Sequence, residues 1–398
     1  MRFILTTVIV ALPFFVAVTP QPAQQGGTAI PLFKRSSLAN ADKSVNFEAL
    51  KSHVASTSAK ILRGRNNFEK NTGTSHPSAG KGARKRAATG SNLIVDNNIW
   101  SGAIEVGTPP DTYFGPDCGA SCAGHYIYDP AFSETSIYLE KTFSMEFEDD
   151  DLVSGDQYKD TVTILDLKAP DQTLGVASQY SPGFESTTFT PDGVMGMAFQ
   201  SISIYDASPV FQTLVAMGQT DEPVFAFSFT DLGPELYLGG INPTMYIGDI
   251  TYTPVTQHSF WRVHIDSIEG NGETLIFLAP SIIDTGSELI HGPDEDVAIL
   301  YQNIGGTDAS DTLGEGYWTF PCDDIPSVSF TIAGRSFFIS PDKLSIGTSH
   351  NGPNANDCVG AIVGDNIDDE WLIGTTFLSG VYTIFDVGNL RVGFATLA

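Results

Sequence analysis

Past residue 86 the chain is almost without positive charge. Of its 20 Lys and Arg, 13 lie in residues 1–86 beside only three acids (Asp42, Glu48 and Glu69), and residues 87–398 hold 7 bases against 44 acids. A surface of that sign repels nucleic acid and anionic membrane at neutral pH, so neither is an expected partner. It also points to a working pH low enough to protonate many of these carboxylates. Long apolar runs are missing as well: beyond residues 3–18, no stretch could cross a bilayer. Cysteine is scarce. Cys118, Cys122, Cys322 and Cys358 are the only four, and His does not cluster with them, which excludes a zinc site and leaves no metal expected. An even count in an exported chain favours two disulfides, with three pairings open. Cys118 with Cys122 would pin a small loop, and Cys322 with Cys358 would close a long hairpin. No glycosylation acceptor is usable either, since Asn242 is followed by Pro243.

What is present begins with processing signals. Arg2, the short apolar run and the small residues near Ala23 read as a secretory signal peptide over residues 1–23. Residues 24–86 are polar and basic, with a helix expected around 49–62, and end at Arg84-Lys85-Arg86 before the small residues Ala87-Ala88-Thr89-Gly90. A basic cluster opening onto a flexible loop suits a subtilisin-like processing protease. Signal, basic spacer, cut site and acidic body together predict a zymogen whose propeptide spans 24–86. Secretion is the expected destination, with the vacuole as the alternative, and no membrane contact is expected after signal removal.

The remaining chain reads as all-β. Runs rich in Val, Ile, Phe, Tyr and Thr recur between Gly, Pro, Asn and Asp, with strands expected at 161–167, 224–229, 250–255, 327–332 and 382–386. Helix is favoured only at 209–217 and 294–301. Each half has a strand expected to end in two apolar residues and a glycine: Val194-Met195-Gly196 and Leu372-Ile373-Gly374.

The segment that carries chemistry is Ile282-Ile283-Asp284-Thr285-Gly286-Ser287. An acid placed directly after a buried-strand pattern costs several kcal/mol unless it is hydrogen-bonded or its pKa rises. Gly286 permits a tight turn with exposed N–H, and the hydroxyls of Thr285 and Ser287 are placed to donate to the carboxylate.

From residue 93 to the C-terminus the chain resembles the pepsin-like aspartic proteases, especially the secreted fungal branch. The active-site loop Ile283-Asp284-Thr285-Gly286-Ser287 is similar to that of the family's C-terminal lobe. Val106-Gly107-Thr108-Pro109-Pro110 resembles the approach to the N-terminal lobe's loop, and Asp192-Gly193-Val194-Met195-Gly196-Met197 and Trp371-Leu372-Ile373-Gly374 resemble the segments that frame each aspartate. Tyr382-Thr383-Ile384-Phe385-Asp386 and Arg391-Val392-Gly393-Phe394-Ala395 resemble the closing strands. The resemblance implies a bilobal all-β fold with an N-terminal lobe at 93–247, a C-terminal lobe at 248–398 and a peptide cleft between them. It implies a monomer that needs no cofactor and acts on peptides or proteins in acid. Two carboxyls share one proton; the ionised one activates water and the protonated one polarises the scissile carbonyl. Asp284 would be one of the two, with Thr285, Gly286, Ser287, Phe147 and Asp149 lining the cleft, and the propeptide would cover that cleft as a latch of opposite charge.

Asp-Thr-Gly occurs once, however, where the chemistry needs two such loops. Asp111-Thr112-Tyr113-Phe114 runs straight into Gly115-Pro116-Asp117-Cys118, where relatives have a strand and the first catalytic loop. Neither Asp111 nor Asp117 is followed by Thr-Gly or Ser-Gly, and neither is expected to substitute. Both flanks read normally, so the pattern is that of an internal deletion, which favours an omitted exon or incomplete copy over a drifted pseudoenzyme. A missing buried strand uncovers apolar partners and leaves ladder groups unpaired, at roughly 1–3 kcal/mol each. The flap departs too: Phe147 stands for a tyrosine, and Glu148, Asp149, Asp150 and Asp151 replace a glycine-rich tip. A solvated flap is the preferred reading of that acidic run, and a calcium loop, lacking alternating ligands and a turn glycine, is its rival. Glu288 likewise replaces a usually small residue. The expected activity is therefore that of an aspartic endopeptidase, with this literal chain inactive. A non-catalytic protein that holds a peptide, inhibitor or polymer in the same cleft is the alternative.

Overall fold

Among the described residues the pattern of short β-branched and aromatic runs resolves into five sheets. The computed structural model describes residues 27–34, 38–78, 100–108, 124–146, 152–181, 186, 191–230, 233–349, 357–365 and 369–398. Residues 1–23, where a signal peptide is expected, and Arg84, Lys85, Arg86, Asp111, the 114/115 junction, Asp117, Cys118, Cys122, Phe147 and Asp149 lie outside them. Labels are given below only to elements used in the argument.

In the acidic body's first half, β2 (Ile137–Glu146), β3 (Leu152–Ile164) and β4 (Leu167–Tyr180) form an antiparallel meander, with Glu105–Val106 paired to the far end of β3. The β2/β3 hairpin, with Phe143 opposite Gly155 and Met145 opposite Val153, is the expected flap. The expectation of one strand over 161–167 is corrected here. That stretch is the hairpin between β3 and β4, turned at Leu165, whose φ is 52°. Its apolar composition hides the turn because Val162 and Ile164 face the core while Leu165 is half exposed.

A six-stranded sheet joins the halves, in the order β1 (Thr28–Pro31), β6 (Glu235–Leu238), β5 (Val224–Ser228), β15 (Val381–Asp386), β16 (Arg391–Leu397) and β7 (Tyr246–Pro254). Its outermost strand comes from the basic segment: Thr28 to Pro31 pair antiparallel with Leu238 to Glu235. The boundary expected at 247/248 falls within β7. On the core side, Phe225 stacks on Phe385 at 4.9 Å, and Trp261 meets Phe385 edge-on at 5.0 Å. On the other face Tyr382 is wholly buried, and its hydroxyl accepts the Asn242 N–H at 2.9 Å. Tyr382→Phe keeps the ring and orphans that N–H, so it is expected to lower stability by about 1–2 kcal/mol. The denaturant midpoint should fall with an unchanged slope.

The second half is built on β8 (Trp261–Gly270), β9 (Glu273–Ile283), β10 (Ile290–Gly292), β11 (Val328–Ile332), β12 (Arg335–Phe338), β13 (Ile362–Gly364) and β14 (Trp371–Ile373). They form one sheet in the order β12, β11, β8, β9, β14, β10, β13. Helices α2 (Val210–Ala216) and α3 (Asp294–Asn303) lie where expected, and single-turn helices at Ser310–Leu313, Pro341–Leu344 and Thr375–Leu378 add to them. Cys322 and Cys358 are joined, with Cα atoms 5.0 Å apart.

In the basic segment, α1 runs over Phe47–Thr72, ten residues beyond the end expected from sequence. Asn46 caps its start, its Oδ1 accepting the Ala49 N–H at 3.2 Å, and Gly73 ends it at φ 72°. Among the described residues no helix is long and apolar enough to cross a membrane.

Candidate active site

Strand β9 delivers Asp284 to the cleft. Its last residues pair in parallel with β14, Ile282 with Leu372 and Ile283 with Ile373, and the Asp284 N–H then donates to the Ile373 carbonyl at 3.1 Å. The chain turns at once. The carboxyl accepts the Gly286 N–H at 3.1 Å and the Ser287 hydroxyl at 2.7 Å. Among the described residues only Ser287, of the two hydroxyls expected to help, donates to this carboxyl; at the third position after the acid it faces back across the turn, and Thr285 does not. The segment after β14 crosses beneath the loop: the N–H groups of Thr375 and Thr376 donate to the carbonyls of Ser287 and Glu288 at 2.8 and 2.7 Å. That crossing requires Gly374, because a Cβ there would lie 2.3 Å from the Leu289 carbonyl oxygen and 2.5 Å from that of Ser287. The apolar-apolar-Gly pattern thus has a physical cause in this half.

Its counterpart behaves differently. Val194-Met195-Gly196 does not end a strand, which corrects the expectation, and Val194 is 84% exposed whereas Leu372 is 2% exposed. A segment of this kind becomes a strand by pairing with the strand before the aspartate, as β14 does with β9. Among the described residues of the first half, nothing pairs with 193–197 in that way.

Helix α1 lies across the mouth of the Asp284 loop. Lys60 extends its ammonium onto the Asp284 carboxyl and also reaches the Ser287 hydroxyl at 3.0 Å. Thr57, one turn earlier, sits 3.5 Å from the same hydroxyl. Burial pushes the Asp284 carboxyl up, but the Lys60 charge and the hydrogen bonds from Lys60, Ser287 and Gly286 outweigh it and hold the group below the usual carboxylate range. Asp284 is therefore an ionised acid under a cationic cap. Upstream on α1, His53 accepts the N–H groups of Glu288 and Leu289 at 3.2 and 3.4 Å. Downstream, Gly64 lets the helix press on Phe260, since a Cβ would come 2.5 Å from the ring. Arg65 reaches Glu370 at 3.1 Å in a buried pair that Arg262 completes and that Ser78 joins at 2.7 Å. The amides of Asn67 and Asn71 donate to the carbonyls of Ile202 and Ser203 at 3.2 and 2.8 Å. A cavity of about 400 Å³ opens between α1 and the flap, lined by Arg63, Asn66, Asn67, Lys70, Thr142, Phe143, Ser144 and Ile204.

Of the expected site residues, Asp284, Thr285, Gly286 and Ser287 come together in one loop, and Phe147 and Asp149 lie outside the described residues. Lys60, His53, Arg65, Glu370 and Arg262 were not singled out from sequence. The opposite charge of segment and body signalled an attraction, but no local pattern distinguishes Lys60 from the other twelve cations before residue 87.

Comparison with known proteins agrees with this architecture. Residues 91–397 match the model of the eukaryotic aspartyl protease family. An aspartic protease of Phaffia rhodozyma is 36% identical over 80% of this chain and 82% of its own length. Cathepsin D of Dictyostelium discoideum is 31% identical over 74% and 82%, and gastricsin of Oryctolagus cuniculus 30% identical over 75% and 81%. With a match over this extent, and an Asp-Thr-Gly loop held at the end of a buried strand in a bilobal all-β fold, the chain belongs to the family of pepsin-like eukaryotic aspartyl proteases.

Proposed function

We propose that this locus encodes a secreted, acid-acting aspartic endopeptidase made as a zymogen, in which Asp284 is one of two catalytic carboxyls and residues 24–86 are the inhibitory propeptide. The observation that carries the reading is the contact of Lys60 with Asp284. A basic helix lies over the mouth of the Asp284 loop, and its ammonium neutralises the one acid placed for chemistry. In that position it blocks an extended peptide and holds Asp284 ionised. Processing at Arg84-Lys85-Arg86 would free the cleft.

Peptide hydrolysis needs a second carboxyl beside Asp284. One ionised acid can take a proton from water, but it cannot at the same time protonate the leaving nitrogen. In this chain the loop that would supply the second acid is absent between Phe114 and Gly115. The unpaired, exposed Val194 segment supports the absence of a whole strand, not a drift of one residue. The literal chain is accordingly inactive, and the complete product is the enzyme.

The test is to read transcripts across the codons for Phe114 and Gly115 and to assay the products. A transcript carrying an additional Asp-Thr-Gly or Asp-Ser-Gly loop is expected. Its processed product should cleave peptides between about pH 2 and 6 in a pepstatin-sensitive manner, and the literal chain should not. If no transcript carries such a loop, the protease reading ends. The non-catalytic reading, motivated by the single Asp-Thr-Gly, would then stand if the processed chain folds cooperatively and binds a peptide or polymer.

A further inference from the structure

The latch carries two histidines, His53 and His76, and both are buried against the body at 2% exposure. The Nε2 of His53 faces two backbone donors, the N–H groups of Glu288 and Leu289. That nitrogen must therefore offer a lone pair, and the docked ring is neutral. A proton there would set a donor against two donors. The charged and titratable groups around it are Lys60 on its own helix, and Asp284, Glu288 and His291 on the body. The His291 ring lies 6.1 Å away, with Asp365 3.4 Å beyond it. Asp284, the compensating charge, is already engaged by Lys60. His76 is placed alike. Its Nδ1 accepts the Ser78 N–H at 3.3 Å, its Nε2 lies 3.1 Å from the Ser259 hydroxyl and 3.0 Å from the Gln257 amide, and Phe68 and Phe260 enclose the ring. Arg65 and Arg262 stand near it, with Glu370 shared between them.

We infer that His53 and His76 form a proton-operated release for the latch, so that mild acid undocks the basic segment before Asp284 itself is protonated. This rests on the zymogen reading and deepens it. Burial first, and then His291 and Lys60 beside His53 and Arg65 and Arg262 beside His76, hold both rings below the ordinary histidine value, His76 at about 4. In the undocked segment both return to about 6.5. Docking therefore has its full strength above about pH 6.5 and weakens as the pH falls, by up to tenfold per pH unit for each histidine, until the docked values are reached. The Asp284 carboxyl, also held below its ordinary value, has the same sign of linkage in a lower pH window. Its contribution is intact above the ordinary carboxylate range and is lost only as the pH falls through it. The two triggers thus occupy separate pH windows.

Hydrogen–deuterium exchange of the α1 amides in the full chain, corrected for intrinsic rates, tests this from pH 7.5 to 3. The unmodified chain is expected to lose protection between about pH 6.5 and 4, by up to a hundredfold per unit where both rings respond. His53→Gln with His76→Gln keeps acceptors that cannot take a proton, and should hold protection level to about pH 4, where loss through Asp284 begins. Equal pH profiles for the two proteins would overturn the inference and leave the latch standing. Unprotected α1 amides at pH 7.5 in the unmodified chain would remove the latch reading, and the release with it. As a measurement free of substitution, the NMR titrations of both rings in the full chain should fall well under about 6.5. Values at or above that figure would also overturn it.

Discussion

Once the second carboxyl loop is present, Asp284→Asn is expected to lower kcat/KM for peptide hydrolysis by about 10³-fold, with little change in KM. Carboxylate and amide have nearly the same shape, so the Gly286 and Ser287 donors still hold the side chain. What is lost is the shared proton: an amide can neither take a proton from water nor return one to the leaving nitrogen. General acid–base catalysis of this kind contributes about 10²–10⁴-fold. In the chain as written, which the proposed reading takes to be inactive, the same substitution is expected to act on the latch. Lys60 would meet a neutral amide, and α1 should exchange faster at pH 7. If the completed enzyme keeps its rate after Asp284→Asn, the dyad does not include this residue.

Arg65→Met is expected to loosen the basic segment more than any other single change in it. Arg65 and Glu370 are buried to 4% and 3% side-chain exposure, so neither is solvated when the partner goes. Removing one member of a buried pair typically costs about 3–5 kcal/mol, because the remaining charge stays unpaired in a dry site. Here Arg262 and Ser78 still serve Glu370, which places the cost near the lower end, about 3 kcal/mol. That corresponds to a loss of about 10²-fold in α1 amide protection at pH 7. Lys60→Met should cost less, since its side chain is 36% exposed and solvent screens the pair. Should Arg65→Met leave protection within threefold of the unmodified chain, the anchor of the latch lies elsewhere, and Lys60 would have to carry it.

Particular elements show how far local signals reached. The helix expected at 49–62 extends to Thr72 although Arg63-Gly64-Arg65-Asn66-Asn67 has no apolar period and contains a glycine. Those last turns are held by tertiary contacts, namely Gly64 against Phe260, Arg65 on Glu370 and the asparagine amides on the Ile202 and Ser203 carbonyls. Propensity has no access to such contacts. The hairpin at Leu165 was invisible for the converse reason: a β-rich run stays β-rich when it turns, and neither Gly nor Pro marks this turn. The second apolar-apolar-Gly segment fails as a strand because a strand is a property of pairs, and a window of sequence contains only one member.

The composition and motifs of this chain were sufficient to specify an all-β body, a basic segment of opposite charge ahead of it, and one acid at a strand end followed by a turn-forming glycine. Each of these follows from short-range rules: period, turn chemistry and net charge. Three-dimensional folding decided which cation covers that acid, which histidines lose their water, and which glycine admits a crossing backbone. Those choices join residues as far apart as Lys60 and Asp284, or Arg65 and Glu370. They depend on desolvation and direction, which exist only after the chain has closed around them.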